Sequence, residues 1–524
     1  MILVLFVVRS FVVRTSVVGL VLSFVVASIA SADSREALQK AAWLAQEGRL
    51  DEAEQQARLA LADPETSAAA YSVLGAIRFQ QKRLDESADF LQKAIELEPR
   101  LAGAHLSLAQ VYTVQGKPEL TLGLFERVLE LDPSNATARL ALAVSATENG
   151  DYERSLKLAA PVLPALKQSP DGLLLLATNY LKTGNQTAAR ELLEDWARLA
   201  NVPQELSIKL GLLLVQEGLV SESITTLERA SEAGPSSYEL AFNLAGAYLL
   251  NKEPARALEA YDKALELRPD SLAALQQAAS IAERQGELER SLSYWIRARK
   301  VKPDNPEILL GFGRVCLKMD LLEDAEPALD KAARLKPDEA AYQYTLAAAK
   351  VGKKQFEAAQ GLLERLVEKQ PDDPQVQYGL GSVLYIRGRL DEAAEHLRES
   401  IRLQPKQLAS YHYLALVDRD QGRDSEAIET FERLLQRYPD HGPSREVLGE
   451  LLMGARRYRE AEINLRRAVG LDPKSVKANY QLGLLLARMG RKEEANEQLE
   501  LAKSLRKEDQ ATSRLQLRIL DPDR

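Results

Sequence analysis

Pro269, Pro303, Pro337, Pro371, Pro405, Pro439 and Pro473 follow one another at steps of 34 residues, and Pro99, Pro133 and Pro235 fall on the same grid. A spacing held this long predicts a solenoid: one small structural unit, unable to bury its apolar face alone, stacked on copies of itself. Between Pro133 and Pro235 the prolines drift to Pro170 and Pro203, yet the 102 residues between the ends make three periods. The local shifts therefore nearly cancel.

With proline as position 32, each period splits into two helices. The stretches YSVLGAIRFQQKRLDESADFLQKAIELEP (71–99) and YQLGLLLARMGRKEEANEQLELAK (480–503) share one plan. A first helix carries apolar or small residues at positions 4, 7, 8 and 11, which at ~100° per residue fall within about a third of the circumference. A glycine or polar turn follows near position 15. A second helix carries Ala at 20, a large apolar residue at 24 and often Ala at 27. Small residues at 8 and 20 let the two helices approach closely. Proline then ends the pair, because it has no N–H to donate and clashes with the preceding turn. The wider composition agrees, rich in the helix formers Ala, Leu, Glu, Arg and Gln.

These residues resemble the tetratricopeptide repeat, W-x2-L-G-x2-Y, then A-x3-F, then P. The pattern is met by Leu74, Gly75 and Pro99; by Leu108, Tyr112, Phe125 and Pro133; by Leu380, Gly381, Ala393 and Pro405; by Leu414, Ala427, Phe431 and Pro439; and by Leu482, Gly483 and Ala495. The family tryptophan at position 4 is mostly replaced, by Tyr71, His105, Leu309 or Tyr411. The resemblance implies an all-α, right-handed superhelical solenoid of about fourteen antiparallel helix pairs over residues 33–509. One unit is expected to be irregular: YERSLKLAAPVLPALKQSPD (152–171) places Pro161 and Pro164 inside a second helix and reads as carrying added residues. Each interior proline costs about 3 kcal/mol there. The last second helix, EEANEQLELAKSLRKEDQ, has the polar outer face of a capping helix, and residues 510–524 read as a tail.

The start of the chain is different in kind. MILVLFVVRSFVVRTSVVGLVLSFVVASIASAD has Arg9 and Arg14 but no acidic residue before Asp33, and its apolar run ends in small residues with Ala30 and Ala32 placed as an A-x-A cleavage site. This predicts a secretory leader over residues 1–32. The alternative is an uncleaved anchor, although the run after Arg14 is shorter than the ~20 residues of a spanning helix. Cys316 is the only cysteine, so no intrachain disulfide forms and stability rests on packing.

The sequence offers little for catalysis. His105, His396, His412 and His441 are not spaced as helical pairs and the cysteine is beside none of them, which argues against a zinc site. GFGRVC and GLGSVL do not complete a dinucleotide loop. Their glycines, Gly311, Gly313, Gly379 and Gly381, sit at positions 6 and 8, where small residues serve packing. Cys316 occupies the core position 11. Acidic residues gather at the starts of second helices, where negative charge suits the helix terminus. The net charge of -8 is spread without a basic stripe, against a nucleic-acid partner. No cofactor and no metal are expected.

Function is then expected on the surface. In the family, first-helix positions 2, 5, 9 and 12 line the concave groove. Position 5 reads Phe242, Gln276, Leu310, Tyr344, Tyr378, His412, Glu446 and Tyr480, position 12 adds Tyr385 and Arg419, and position 9 adds Arg314. Arg314, Tyr344, Tyr378, Tyr385, His412 and Arg419 are thus the candidate contact residues, aromatic or planar-cationic as interface anchors tend to be. At position 5 the alternative use of an aromatic is to seal neighbouring repeats. The expectation is an exported, non-enzymatic scaffold that binds a protein or extended peptide, and the resemblance implies a periplasmic setting in envelope assembly, secretion or polysaccharide export. The alternatives are an enzyme or carbohydrate-handling protein with its site in the groove, and a structural spacer.

Overall fold

The computed structural model describes residues 32–509, apart from residue 236. The expected leader, but for Ala32, and the tail at 510–524 lie outside them. The described residues form an all-α helical-repeat solenoid. First helices begin at Ala102, Ala136, Pro170, Gln204, Tyr238 and Leu272, then at Pro306, Ala340, Pro374, Leu408, Gly442 and Val476, each 34 residues after the last. Second helices keep the same step, from Leu50 and Leu84 to Lys492. Fourteen units result.

Local chemistry fixes these starts. Asn135, Ser169, Ser237, Ser271, Asn305, Asp373 and Ser475 each accept a hydrogen bond from a backbone N–H in the first turn of the helix that follows. Such caps contribute about 1 kcal/mol each. Pro64, Pro170, Pro306 and Pro374 sit in the first turn, where a missing N–H costs nothing. At position 15 the chain turns through a left-handed residue in all fourteen units: Gly48, Gly116, Gly150 and Gly184 are examples, and Lys82, Lys252, Asp320, Lys354 and Arg456 take the same conformation.

Close approach of the two helices is the rule that all units obey. Position 8 is Gly at 75, 211, 313, 381, 449 and 483 and Ala at 41, 109, 143, 177, 245, 279, 347 and 415. A Cβ added at Gly381 would stand 2.8 Å from Leu397 Cγ, and at Gly483 2.7 Å from Leu499 Cγ. Position 20 is Ala, Ser or Thr throughout, and three of its serines donate to the carbonyl of position 8: Ser87 to Gly75 at 2.7 Å, Ser223 to Gly211 and Ser291 to Ala279 at 2.8 Å.

Position 4 has a task that the family tryptophan obscured. His105, Arg139, Gln377, Arg445 and Asn479 donate to the carbonyls of Pro99, Pro133, Pro371, Pro439 and Pro473, six residues earlier, at 2.6–3.0 Å. The side chain ties each unit's first helix to the turn that delivers it, and so His105 is a structural donor.

The fourth unit corrects one expectation. Its second helix is broken into Tyr152–Ala159, a short 3-10 turn at Ala160–Val162 and a single turn at Leu163–Leu166. Yet the flanking first helices start at Ala136 and Pro170, 34 residues apart, so no residue is added. Only the proline moved.

By its contacts the chain divides into two bodies, residues up to Ala260 and residues from Tyr261. The first holds a core around Leu173, Leu176, Leu192, Trp196 and Leu214, and the second has cores around Tyr378 and Leu397 and around Phe431 and Leu465. Among the described residues no helix is long and apolar enough to cross a membrane.

Candidate binding surface

The six candidate residues all lie in the second body, on first helices of units nine to twelve: Pro306–Lys318, Ala340–Gly352, Pro374–Ile386 and Leu408–Asp420. The structure sorts them into three groups.

Tyr344 and Tyr378 are buried, 6 % and 0 % exposed, which corrects their expected place on the contact surface. Tyr344 reaches from unit ten to unit eleven and packs where a Cβ on Gly379 would lie, 2.8 Å from its Cε2. Burial raises its phenol well above the ordinary value. Tyr378 in turn meets Tyr413 of unit twelve edge-on at 5.9 Å. Both are plugs between units, because position 5 of one first helix faces position 6 of the next.

Arg314 is half-buried and committed. Its guanidinium donates twice to Glu283 of unit eight, at 2.8 and 2.7 Å, and Lys318 adds a third contact at 3.1 Å. Burial works against the Glu283 carboxylate, but the two cations hold it below its ordinary range. The planar fork matches the carboxylate geometry and so locks this pair of first helices together.

Tyr385, His412 and Arg419 remain partly exposed. Tyr385 donates to Asp420 Oδ2 at 2.9 Å while Arg419 meets the other oxygen of Asp420 at 2.7 Å. Burial, with that carboxylate accepting its proton, pushes the Tyr385 phenol up to about 12. Its ring lies edge-on to Tyr413 at 5.7 Å, and Tyr413 touches the His412 ring at the same distance. The His412 ring then meets Phe431 at 5.7 Å and His441 at 5.2 Å. A string of rings therefore runs from Tyr385 through Tyr413 to His412, on top of the buried Tyr378.

Sequence spacing missed the meeting of two histidines. His412 Nδ1 lies 2.8 Å and His441 Nδ1 2.7 Å from Ser444 Oγ. One hydroxyl donates to one imidazole and accepts from the other, and the Ser444 N–H also donates to His441 Nδ1. His441 thereby caps the next first helix, and the H-x-x-S pattern was the available clue. Among the described residues no three His, Cys, Asp or Glu side chains gather as a metal would require. Cys316 is fully buried, and burial pushes its thiol up to about 12, the reverse of a nucleophile. Gly311 makes room for Trp295 and Gly313 for Leu329, so GFGRVC is packing.

Family models described as tetratricopeptide repeats match residues 38–105, 208–271, 344–407 and 446–509, residues 115–177 and 282–349, and residues 409–441. Among curated proteins none matches the chain. Similar solved structures include the APC/C hetero-tetramer Cut9-Hcn1, 14 % identical, covering 84 % of this chain and 94 % of that one at a TM-score of 0.41. Yeast Tom70 is 17 % identical over 84 % and 96 % at 0.37. Naa15/Naa10 bound to HypK is 14 % identical over 91 % and 76 % at 0.36. With a 34-residue step held over fourteen helix pairs and the family models spread along them, this chain belongs to the tetratricopeptide-repeat family.

Proposed function

We propose that the chain is an exported, non-enzymatic scaffold whose first-helix face in units eleven and twelve binds a partner protein or an extended peptide. The observation that supports it is the partly exposed string of Tyr385, Tyr413 and His412, flanked by Arg419 and Asp420. Its rings are fixed by one another and by the plug beneath, so little side-chain freedom is lost on binding. Aromatic and arginine side chains held this way are the usual centres of interface energy. Tyr344 and Tyr378 position this surface without touching a partner. The A-x-A pattern of the leader supports export, and the family resemblance supports a periplasmic role in envelope assembly, secretion or polysaccharide export.

A Tyr385→Ala, His412→Ala, Arg419→Ala variant tests the site. Partner capture from an envelope extract should fall about 10-fold or more, with the helical circular-dichroism signal retained. Undiminished capture by a folded variant would remove the surface from consideration.

A further inference from the structure

The junction between units eight and nine departs from the repeat plan in three places at once. Position 28 of the second helix holds Leu265, Ala333, Val367, Ile401, Leu435 and Val469 in unit seven and in units nine to thirteen, but Arg299 in unit eight. Position 7 of the first helix is leucine at 346, 380, 414 and 448 and phenylalanine at 312. Position 22 holds Pro327, inside the helix Leu322–Leu335, where proline is disfavoured. Arg299 and Pro327 line one cleft, and Phe312 lies under Arg299.

The cleft lies between the second helices Leu288–Val301 and Leu322–Leu335 of the second body, with Pro303 and Leu309 between them. None of the residues that line it belongs to the groove positions 2, 5, 9 or 12. Its volume is about 410 Å³, within the range of small-molecule sites. Ile296, Leu309, Pro327 and Ala328 give it an apolar side, and Arg299 and Lys300 give it a cationic one.

Arg299 stands 4.0 Å over the Phe312 ring, an attraction that holds the guanidinium at the cleft wall. Arg256 stands in the same way 4.2 Å over Tyr248, but it also pairs with Glu228 and Glu253. Arg299 pairs with no carboxylate among the described residues and donates to no acceptor there. Its planar fork, the shape that matches a carboxylate, is left to a ligand. Two other charges of the cleft are already matched, since Lys331 pairs with Asp304 and Glu323 with Lys353. Among the described residues that leaves Arg299 and Lys300 against Asp324, which sits in the first turn of its helix. Two cations facing one carboxylate select a ligand with a single negative charge.

We propose that this cleft binds a small organic monocarboxylate, its carboxylate held by the fork of Arg299 with Lys300 beside it, and its apolar body on Leu309, Pro327 and Ala328. The site does not rest on the reading for units eleven and twelve. A ligand-observed NMR titration of the full chain compares hexanoate with hexanol and hexylamine, which share the apolar body and change only the charge. Hexanoate should bind about 10-fold tighter than either, and more weakly as salt rises. Arg299→Leu installs the residue that units seven and twelve carry at this position. It should cut hexanoate binding about 10-fold, to the level of the alcohol, with the thermal midpoint held. Arg299→Lys keeps the charge without the fork and should fall between the two, about 3-fold weaker than the wild type. The Tyr385/His412/Arg419 variant should bind hexanoate as the wild type does. Equal binding of hexanoate and hexanol, tighter binding of hexylamine, or unchanged hexanoate binding by Arg299→Leu would overturn the proposal. If Arg299→Leu does not fold, the three probes on the wild-type chain decide it.

Discussion

Gly172→Ala is expected to lower stability by about 3 kcal/mol, the upper end of ordinary overpacking, although Gly→Ala inside a helix normally stabilises by about 1 kcal/mol. The sign reverses because of what stands opposite. In the fourth unit the broken second helix ends in a turn at Leu163–Leu166, and Ser169 then caps the helix that carries Gly172. A Cβ at Gly172 would be 2.7 Å from Leu166 Cα and 2.8 Å from its carbonyl carbon, with the carbonyl oxygen nearer still. Backbone held by a cap and a turn cannot rotate away. At Gly313 the obstacle is the Leu329 side chain, its Cγ nearest and its Cδ2 2.6 Å from the added Cβ. That side chain can shift rotamer, so Gly313→Ala should cost only about 1–2 kcal/mol. A Cβ at Gly246 would meet nothing within 4 Å, so Gly246→Ala should stabilise by about 1 kcal/mol. Urea unfolding of the three variants reads this order directly, and a stabilising Gly172→Ala would contradict the geometry.

Arg78→Leu is expected to cost about 2–3 kcal/mol at pH 7, the worth of charge-assisted hydrogen bonds lost from a buried group. Arg78 is at position 11, a core position, and its side chain is 7 % exposed. It donates to both oxygens of Glu54 in the preceding unit at 2.8 Å, to Gln81 at 2.9 Å and to Glu86 at 3.1 Å. The bond from Arg78 is the chief reason that the Glu54 carboxyl is held down at about 2. The sign follows: an unfolded glutamate titrates near ~4.3, so the pair's contribution is fully present above that pH. It is lost as pH falls through the folded value of about 2. The deficit of Arg78→Leu should therefore be largest above about pH 5 and shrink towards pH 2. Urea midpoints of both proteins at pH 7, 4 and 2.5 check it; a deficit independent of pH would mean that lost packing, not the ion pair, carries the effect.

Much of this fold was legible. The proline step gave the period, and the turn residues and the small residues at positions 8 and 20 gave the helix pair, because close approach of two helices tolerates few side chains. What the proline grid concealed was that the fourth unit keeps its length while its proline moves, since a proline marks a turn only loosely. Charges at position 11 were also opaque: Arg78 and Lys350 look misplaced in a core stripe until Glu54 and Glu326 are brought to them from the preceding second helix.

The candidate surface was legible only in part. Helical spacing placed Tyr344, Tyr378 and His412 on one face, but burial depends on what the next unit presents. Gly379 opens a socket for Tyr344, while the neighbour of His412 presents Ser444 and leaves the ring half-covered. The glycine at 379 was a clue that could be read, since a socket needs a missing side chain. The pairing of His412 with His441 was not, since residues 29 apart lie on no helical repeat and meet only through stacking of units.

Site-specific photo-cross-linking tests the central claim most directly. A photoreactive residue is placed at Tyr385 on the first-helix face or at Arg433 on the second helix of unit twelve, where the side chain is 58 % exposed. Irradiation in cells should join a partner protein to the chain from position 385 and not from 433. A cross-link from 433 alone, or equally from both, would contradict binding on the first-helix face.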